Sequence, residues 1–228
     1  MGTAVPKQFL LLHGKPVLWY TLDAFLGAYD DLDIILVLPA EYLAAGRELA
    51  DSTEAPRRIL MVAGGATRYH SVYNGLQVIR DLLVHGGDGA ATGCVIFVHD
   101  GVRCLVSREL VHRCHDQAMR LGSAIPVVDC RDSVRLVIGE GSEAMDRNRI
   151  KLVQTPQTFL SHLLLSSYQG EYREAFTDEA MVVEAAGHRV HLIDGDINNI
   201  KITTPLDLVI ARELLDGGGV RAKLPENS

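Results

Sequence analysis

The stretch Cys94–Cys104, CVIFVHDGVRC, decides the fold that the sequence predicts. Its first five residues, Cys94–Val98, are apolar and are followed by turn residues, a pattern typical of a strand buried on both faces of a parallel sheet. In open α/β sheets ligands bind just beyond the carboxyl ends of the strands, where Asp100 and Arg103 fall. A carboxylate there can hold a metal or a hydroxyl, and a guanidinium can hold a phosphate. A turn cap and a solvated surface charge explain the same two residues equally well.

The composition is that of a globular protein with a substantial core. Of its 228 residues, 47% are hydrophobic and 22% are charged, which suffices for one large α/β domain or two small ones. The formal net charge of −7 argues against a nucleic-acid partner, because such proteins gather basic residues on one face. No apolar run approaches the roughly 20 residues of a membrane span, and the N-terminus does not resemble a signal peptide. We therefore expect a cytoplasmic protein without a membrane partner.

Strands and helices alternate along the first half of the chain. This rhythm predicts a doubly wound, mostly parallel α/β sheet of the Rossmann-like kind. The predicted elements are helix Pro16–Leu26, strand Asp33–Pro39, helix Ala40–Ala50, strand Arg58–Ala63, helix Arg68–His85, the Cys94 strand and a helix capped by Ser107.

The rhythm changes after residue 122. Three strand-like runs, SAIPVVDC, SVRLVIG and RIKLVQT, follow one another with a Gly-rich turn and no helix. They predict an antiparallel β-arm over about residues 129–157 that projects from a single domain of residues 1–215. Residues 216–228 are Gly-rich and polar and predict a flexible tail. Between arm and tail we expect helices Thr158–Tyr168 and Asp178–Ala186, strands Arg189–Ile193 and Ile200–Thr203, and a last helix near Pro205 capped by Thr204.

The N-terminal stretch lacks an expected element. A doubly wound nucleotide-binding sheet normally opens with a strand and a Gly-rich phosphate loop, and neither is visible before Lys7. We expect both to precede Met1 in the natural chain. Without that strand, the Cys94 strand should have an open edge, and without the loop the triphosphate of a nucleotide should bind only weakly.

Four stretches place polar or charged residues at predicted strand ends or turns. Lys7 stands where a phosphate-loop lysine would, and Lys201 lies beside a helix N-terminus. Because the chain is acidic overall, positive charge for a phosphate ligand must be gathered locally in this way. The stretches are PKQF, AGGATRYHSV with Arg68 and Ser71, HDGVR with Asp100 and Arg103, and NNIKITTP.

The chain resembles a known enzyme family. The segments PKQFLLLHGKPVLWYTL, VAGGATRYHSV, VHDGVR, MDRNRIKLVQTPQTF, FTDEA and NNIKITTPLDL occur in this order. Together they are similar to the cytidylyltransferases that make 4-diphosphocytidyl-2-C-methylerythritol and pyrophosphate from CTP and 2-C-methylerythritol 4-phosphate, a step of the non-mevalonate isoprenoid pathway. The resemblance covers Pro6 to about Leu215. It implies a Rossmann-like nucleotidyltransferase that uses Mg²⁺, with a β-arm exchanged across a homodimer.

The resemblance also implies roles for individual residues. Lys7 and Lys201 match lysines that contact the phosphates and act in catalysis. The residues implied on the CTP side are Gly65 and Ser71 for the cytosine, Arg68 beside them, Asp100 and Gly101 for the cytidine and tentatively the metal, and Arg103 in the same motif. Those implied to hold the sugar phosphate are Thr177 and, from the partner's arm, Ser133, Arg147 and Thr155.

This chain departs from the family pattern in two further places, since HDGVRC replaces HDAARP and Ser133-Val134-Arg135 replaces Thr-Ile-Lys. A ribitol 5-phosphate cytidylyltransferase of the same superfamily is an alternative, with the same chemistry on another sugar phosphate. A nucleotide-binding homologue without catalysis is a second alternative if the phosphate loop is truly absent.

Overall fold

The computed structural model describes residues 6–85 and 94–217, and most of the predicted elements are found there. Most of the predicted tail, residues 218–228, lies outside the described residues. The elements are β1 (Leu11–Leu12), β2 (Lys15–Pro16), α1 (Val17–Leu26), β3 (Ile34–Leu38), α2 (Leu43–Asp51), β4 (Ile59–Ala63), α3 (Arg68–His85), β5 (Val95–Val98), α4 (Arg108–Leu121), β6 (Ser123–Asp129), β7 (Val134–Ile138), β8 (Gly141–Met145), β9 (Lys151–Val153), β10 (Gln157–Leu160), α5 (Ser161–Ser167), α6 (Glu179–Ala185), β11 (Leu192–Asp194) and α7 (Pro205–Leu215).

The sheets are mixed, so the α/β class is confirmed but the predicted predominance of parallel pairing is not found. A five-stranded sheet has the order β11-β6-β10-β5, with β9 also paired to β6, and only its β11–β6 pairing is parallel. Strands β3 and β4 form a separate parallel pair. The difference arises because β10 lies antiparallel between β5 and β6, where alternating helices and strands would place a parallel neighbour.

Two sequence-based assignments need correction. The predicted helix Thr158–Tyr168 begins instead as strand β10, and helix α5 starts only at Ser161. Thr158 and Phe159 are buried and pair with neighbouring strands, and a segment of only four residues has no periodicity that would distinguish a strand from a helix. The expected strand Ile200–Thr203 is a loop. The Ile202 amide donates one hydrogen bond to the Val102 carbonyl at 3.0 Å and its side chain is buried, but the segment pairs with no described strand.

The predicted helix starts are confirmed by their caps. The Ser107 hydroxyl accepts a bond from the amide of Leu110 at 3.1 Å and begins α4. Thr204 and Asp207 form a reciprocal capping box at the start of α7, with Pro205 at the first helical position. Such caps satisfy amides that have no partner inside the helix, which is why sequence alone locates them well.

A cavity of about 990 Å³ lies between α1 and α3 and is bordered by β3 and β5. Its middle is apolar, lined by the two strands and by helix residues such as Phe25 and Leu76. Within the described part of the chain, β5 pairs only with β10 and β3 only with β4. Among the described strands, β5 therefore has the open edge that the sequence predicts. The cavity is polar where it meets the carboxyl end of β5, at Arg68, Asp100 and Lys201.

Strands β7 and β8 form a hairpin that, among the described residues, pairs only with itself, from Val134↔Met145 to Ile138↔Gly141. Gly139 adopts φ 57° in its turn, a conformation that favours glycine. Several large apolar side chains of the hairpin are exposed, Val137 by 74% and Ile138 by 51%. Within residues 6–85 and 94–217, no helix combines the length and the apolar character that crossing a membrane requires.

Candidate active site

Asp100 is the centre of a cationic cluster just beyond the carboxyl end of β5. Its carboxylate lies 3.0 Å from Lys201 Nζ, 3.6 Å from Arg103 Nε and 3.7 Å from Arg68 Nε, and its side chain is 17% exposed. Burial raises the pKa of Asp100, but Lys201, Arg68 and Arg103 outweigh it and hold the pKa below its usual range. The carboxylate is therefore ionised at neutral pH, and the three cations leave an excess of positive charge.

A chain of hydrogen bonds fixes the backbone that carries Asp100. The Asp100 amide donates to the Thr155 hydroxyl at 3.0 Å, and this hydroxyl lies 3.0 Å from His99 Nδ1. His99 Nε2 lies 3.2 Å from the Arg103 carbonyl. A carbonyl can only accept, so Nε2 carries the proton and Nδ1 accepts from Thr155. Burial lowers the pKa of His99 to about 4, which keeps the imidazole in the neutral form that this chain requires.

Arg103 is held by backbone groups and is not free to bind a phosphate with its whole guanidinium. Its Nη1 donates to the Asn199 carbonyl at 2.8 Å and its Nη2 to the Val153 carbonyl at 3.4 Å. Its Nε faces Asp100. Arg103 therefore joins the β5 end to the loop that carries Lys201. It lies in the cluster, but it binds backbone carbonyls and Asp100, whereas the sequence suggested that it could hold a phosphate.

The loop before Lys201 is anchored by two amide side chains. Asn199 is fully buried, and its Nδ2 donates to the Thr155 carbonyl at 2.8 Å. Gln154 Nε2 donates to the Asp196 carbonyl at 2.8 Å, and its Oε1 accepts from the Asp196 amide at 3.1 Å. These contacts place Lys201 beside Asp100. The sequence pattern did not identify Gln154 or Asn199, because neither residue type signals burial.

The Gly64-Gly65 turn brings Ser71 to the polar end of the cavity. The Gly65 amide donates to Ser71 Oγ at 3.0 Å, and Ser71 Oγ donates to the Thr67 carbonyl at 2.9 Å. A Cβ at residue 65 would lie 2.4 Å from His70 Cβ, so the turn requires glycine there. Ser71 lines the cavity with Arg68, Asp100, Gly101 and Lys201, so the structure brings these predicted residues together.

Glu179 is the main site residue that sequence reasoning missed. It is fully buried, and its carboxylate pairs with Arg68 through two parallel bonds, Nη1 to Oε1 and Nη2 to Oε2, the latter at 2.7 Å. The Tyr168 hydroxyl donates to Oε1 at 3.4 Å. Burial raises the pKa of Glu179 while Arg68 lowers it. An acidic residue in the first turn of a helix usually faces solvent, so the motif TDE gave no sign of this pair.

Other predicted residues lie apart from the cluster. Lys7 is in a 3-10 turn, Lys7–Phe9, and its amine makes no bond to a described residue, although its neighbour Gln8 lines the cavity. Ser133 is exposed, and so is Arg147, whose Nη1 donates to the Arg131 carbonyl at 2.8 Å. Thr177 is exposed and contacts Met181 Sδ at 3.2 Å. The structure of one chain therefore does not unite these four residues with Asp100.

The expected place of Thr155 on the arm needs correction. Its side chain is buried, 4% exposed, and both partners of its hydroxyl belong to the same chain. The physical reason is that the chain turns back into the sheet at Thr155, just before β10 begins. Thr155 therefore supports the Asp100 loop from beneath and presents no free hydroxyl to a neighbouring subunit.

The residues at the polar end fit a metal that takes most of its ligands from a nucleotide. Among the described residues, no group of three or more His, Cys, Asp or Glu side chains could hold a metal by itself. Asp100 is the carboxylate in the cluster at the β5 end, and its oxygens already face cations. Mg²⁺ commonly binds through one or two carboxylates together with substrate phosphates, and a single aspartate is compatible with that arrangement.

Comparison with known proteins relates residues 1–217 of the chain to one family. The family model described as IspD: 2-C-methyl-D-erythritol 4-phosphate cytidylyltransferase matches residues 1–217. Proteins of that name from Phocaeicola vulgatus and Bacteroides fragilis are each 45% identical over 215 residues, covering 94% of this chain and 93% of theirs. A crystal structure of 4-diphosphocytidyl-2C-methyl-D-erythritol synthase is 31% identical with a TM-score of 0.76, covering 92% of this chain and 95% of its own. The cytidylyltransferase from Thermus thermophilus is 32% identical with a TM-score of 0.71, covering 92% and 94%.

Proposed function

The chain belongs to the 2-C-methyl-D-erythritol 4-phosphate cytidylyltransferase family, and from that premise we propose that the cationic cluster around Asp100 is its reaction site. The protein is a nucleotidyltransferase of isoprenoid precursor synthesis. It makes 4-diphosphocytidyl-2-C-methyl-D-erythritol and pyrophosphate from CTP and 2-C-methyl-D-erythritol 4-phosphate. The observation that carries the placement is the convergence of Arg68, Arg103 and Lys201 on Asp100 at the end of β5.

The chemistry needs positioned positive charge more than it needs a base. A phosphate oxygen of the sugar phosphate attacks the α-phosphorus of CTP in line, a new P–O–P bond forms, and pyrophosphate leaves with the electrons of the broken bond. The attacking phosphate is already ionised at neutral pH, because its second pKa is about 6. Catalysis therefore consists of alignment and of stabilising the charge that spreads over the phosphoryl oxygens.

The residues of the cluster divide this work in the proposed site. Lys201 is 3.0 Å from Asp100 and 45% exposed, so its amine is accessible to the phosphates of a bound nucleotide. Lys7 supplies a second cation from the N-terminal turn. Ser71 borders the cavity where the cytosine would lie, Gly65 joins it through its amide bond to Ser71 Oγ, and Gly101 allows close approach of the cytidine to the β5 end. Arg68 and Arg103 keep Asp100 ionised and in place.

A divalent metal, proposed as Mg²⁺, would be held by Asp100 and by the phosphates of CTP, and it would neutralise negative charge on the triphosphate. Lys201 and Arg68 then have a second effect. They oppose the binding of a free cation at Asp100, because they already neutralise its carboxylate. The cluster would thus favour a metal that arrives together with the nucleotide.

We also propose a homodimer in which the β7–β8 hairpin reaches the partner's site. Val137 and Ile138 on the hairpin, together with Leu152 on β9, expose apolar surface that a second copy would bury. Ser133 and Arg147 lie at the base of this hairpin and far from the cluster in sequence. They would hold the sugar phosphate that is bound in the partner subunit's pocket. Each pocket would be lined by Thr177 of its own chain. A cytoplasmic location belongs to this proposal as well.

The reaction is tested by following pyrophosphate release from CTP with each of two sugar phosphates. We expect turnover with 2-C-methyl-D-erythritol 4-phosphate and little or none with D-ribitol 5-phosphate. Release with ribitol phosphate alone would assign the chain to the other substrate. If the protein releases no pyrophosphate and shows no thermal shift with CTP, the enzymatic function of this chain is contradicted.

A further inference from the structure

Arg68 and Glu179 connect two parts of the site that are distant in sequence. Arg68 is the first residue of α3, and Glu179 is the first residue of α6. The planar guanidinium and the carboxylate meet in two parallel bonds, the geometry that gives such pairs both strength and a fixed orientation. The Glu179 side chain is 0% exposed and the Arg68 side chain 35%, so the carboxylate is shielded from water while the guanidinium still borders the site.

This pairing decides which face of Arg68 remains available. Both Nη groups point to Glu179, and the Nε edge faces Asp100 at 3.7 Å. A guanidinium bound in this way cannot also offer its paired donors to a phosphate. Arg68 therefore influences the nucleotide site through Asp100, and direct contact with the substrate is not needed to explain its position.

The Glu179 end of the pair is rigid. Gln157 on β10 donates from Nε2 to Asp178 Oδ2 at 3.0 Å and accepts at Oε1 from the Ala180 amide at 2.8 Å. Asp178 itself caps α6 by accepting from the Met181 amide at 3.0 Å. Because its two chain neighbours are bound, Glu179 cannot follow a displaced Arg68. The carboxylate acts as a fixed reference point for the guanidinium.

We propose that Glu179 is a positioning residue that holds Arg68 at its present distance from Asp100 and so keeps Asp100 available to the nucleotide. The inference rests on the proposed function of the Asp100 cluster and deepens it. It also links the segment with Thr177, two residues before Glu179, to the CTP side of the site.

Glu179 and Asp100 compete for one cation, the guanidinium of Arg68. With Glu179 charged, the paired donors of Arg68 are satisfied and only its Nε edge acts on Asp100. With a neutral amide in place of Glu179, one acceptor is replaced by a donor that faces the guanidinium, so the pair opens. Arg68 then turns to the next carboxylate, Asp100, and competes there with Lys201 and with the nucleotide.

The test is the Glu179→Gln variant, with CTP affinity measured by calorimetry and with steady-state kinetics. We expect CTP to bind about 10- to 100-fold more weakly and kcat/KM for CTP to fall by a similar factor, a magnitude usual for residues that orient a ligating group. The control is Glu109→Gln, which removes the exposed i,i+4 partner of Arg113 at 4.0 Å and should leave both quantities unchanged.

A purely structural role predicts a different outcome, namely a lower Tm with wild-type CTP affinity in the folded fraction. The double variant Arg68→Met/Glu179→Gln separates the two. If Glu179 acts through Arg68, the double variant should bind CTP within about 2-fold of Arg68→Met alone, because residues of one network are not additive. If the double variant loses CTP affinity by the product of the two single losses, the proposal is overturned.

Tyr168→Phe tests the same link if Glu179→Gln does not fold. This variant removes only the 3.4 Å bond to Glu179 and should weaken CTP binding by about 2- to 5-fold, a small effect because a single neutral donor contributes modestly to the position of a carboxylate. Wild-type CTP affinity in every folded variant of Glu179 and Tyr168 would contradict the proposal. Wild-type protein that neither binds nor turns over CTP would instead contradict the proposed function.

Discussion

The hydroxyl of Thr155 accepts a hydrogen bond from the backbone amide of Asp100 at 3.0 Å, although the two residues are 55 positions apart. The same hydroxyl donates to His99, whose far nitrogen bonds the Arg103 carbonyl. Thr155, from the segment that enters β10, therefore holds the start of the turn after β5, and His99 connects it to the far end at Arg103. This relationship makes the position of Asp100, and with it the cationic cluster, depend on a residue outside the HDGVR motif.

Replacing Thr155 tests this dependence. Thr155→Val keeps the shape of the side chain but leaves the Asp100 amide and His99 Nδ1 without a partner. We expect a loss of about 1–3 kcal/mol in the free energy of unfolding, the cost of unsatisfied buried groups. We also expect a drop of about 10- to 100-fold in kcat/KM, typical for residues that orient a ligating group. Thr155→Ser retains the hydroxyl and should retain most of the activity in the same assay.

The pH dependence of stability tests the neutral state of His99. Burial lowers its pKa to about 4 in the folded protein, against about 6.5 when the chain is unfolded. Above about pH 6.5 neither state binds the proton, and this group costs nothing. Between about pH 6.5 and 4 only the unfolded state binds it, so the free energy of unfolding should fall, by up to about 3 kcal/mol.

His99→Asn should flatten this fall when urea unfolding is measured from about pH 7.5 to about pH 4.5, a range that spans most of the interval between the two pKa values. The matched control is His188→Asn, which changes an exposed histidine and should keep the wild-type pH slope. Equal slopes for wild type and His99→Asn would show that His99 is not held neutral by its surroundings.

Lys201→Ala should separate catalysis from stability. We expect kcat to fall about 10²- to 10³-fold, the usual effect of removing one group that stabilises transition-state charge. The free energy of unfolding should change by less than about 1 kcal/mol, because the lysine is 45% exposed and Arg68 and Arg103 remain beside Asp100. The control is Lys151→Ala, which breaks the exposed pair with Asp129 at similar exposure and should stay active. Near-normal turnover in Lys201→Ala would remove this lysine from the site.

Mixing two inactive variants tests the exchange of the arm. If Arg147 acts in the partner's site, a heterodimer of Arg147→Ala and Lys201→Ala subunits contains one intact site. Equal mixtures after subunit exchange should then recover about a quarter of wild-type activity, since about half of the dimers are mixed. A mixture as inactive as its parents, with dimers demonstrated by sedimentation, would place Arg147 in the site of its own chain.

The hairpin surface gives an independent test of the dimer. Val137→Glu introduces a charge on a residue that is 74% exposed in one chain, so it should not harm the fold of a monomer. In a dimer it would bury that charge, and we expect dissociation together with loss of activity. Sedimentation equilibrium measures the dimerisation of Val137→Glu. The control is Glu140→Gln, which changes a residue at the hairpin turn and should leave the dimer intact. An unchanged dimer would contradict the proposed interface.

The features that sequence predicts well are those with a local cause. Ser107 and Thr204 were found as caps because a hydroxyl before an amphipathic run satisfies amides of the same turn. The Asp100 end of β5 was found because a buried strand followed by polar residues places them at the sheet's edge. The placement of Lys201 beside Asp100 has no such local cause, because the expected strand Ile200–Thr203 is a loop that the side chains of Gln154 and Asn199 anchor.

The features that it missed depend on contacts between distant segments. Strand β10, QTFL, mixes polar and apolar residues, and only its pairing with β5 and β6 shows that it is not helical. Glu179 carries an ordinary helix-start signature, and its pairing with Arg68 joins the first residues of two helices that are 111 positions apart. Thr155 was assigned by motif to the arm, whereas the turn into β10 buries it beneath Asp100. Local patterns contain none of this information.

In this account the cytidylyl group of CTP is transferred to the sugar phosphate at the Asp100 cluster, and pyrophosphate is released. Phosphorus NMR of the protein with CTP, Mg²⁺ and 2-C-methyl-D-erythritol 4-phosphate measures this directly, with Lys201→Ala alongside. Wild type should convert CTP into one diphosphate diester and an equal amount of pyrophosphate, and the variant should do so far more slowly. Unchanged CTP with wild type, or equal conversion by both proteins, would contradict the account.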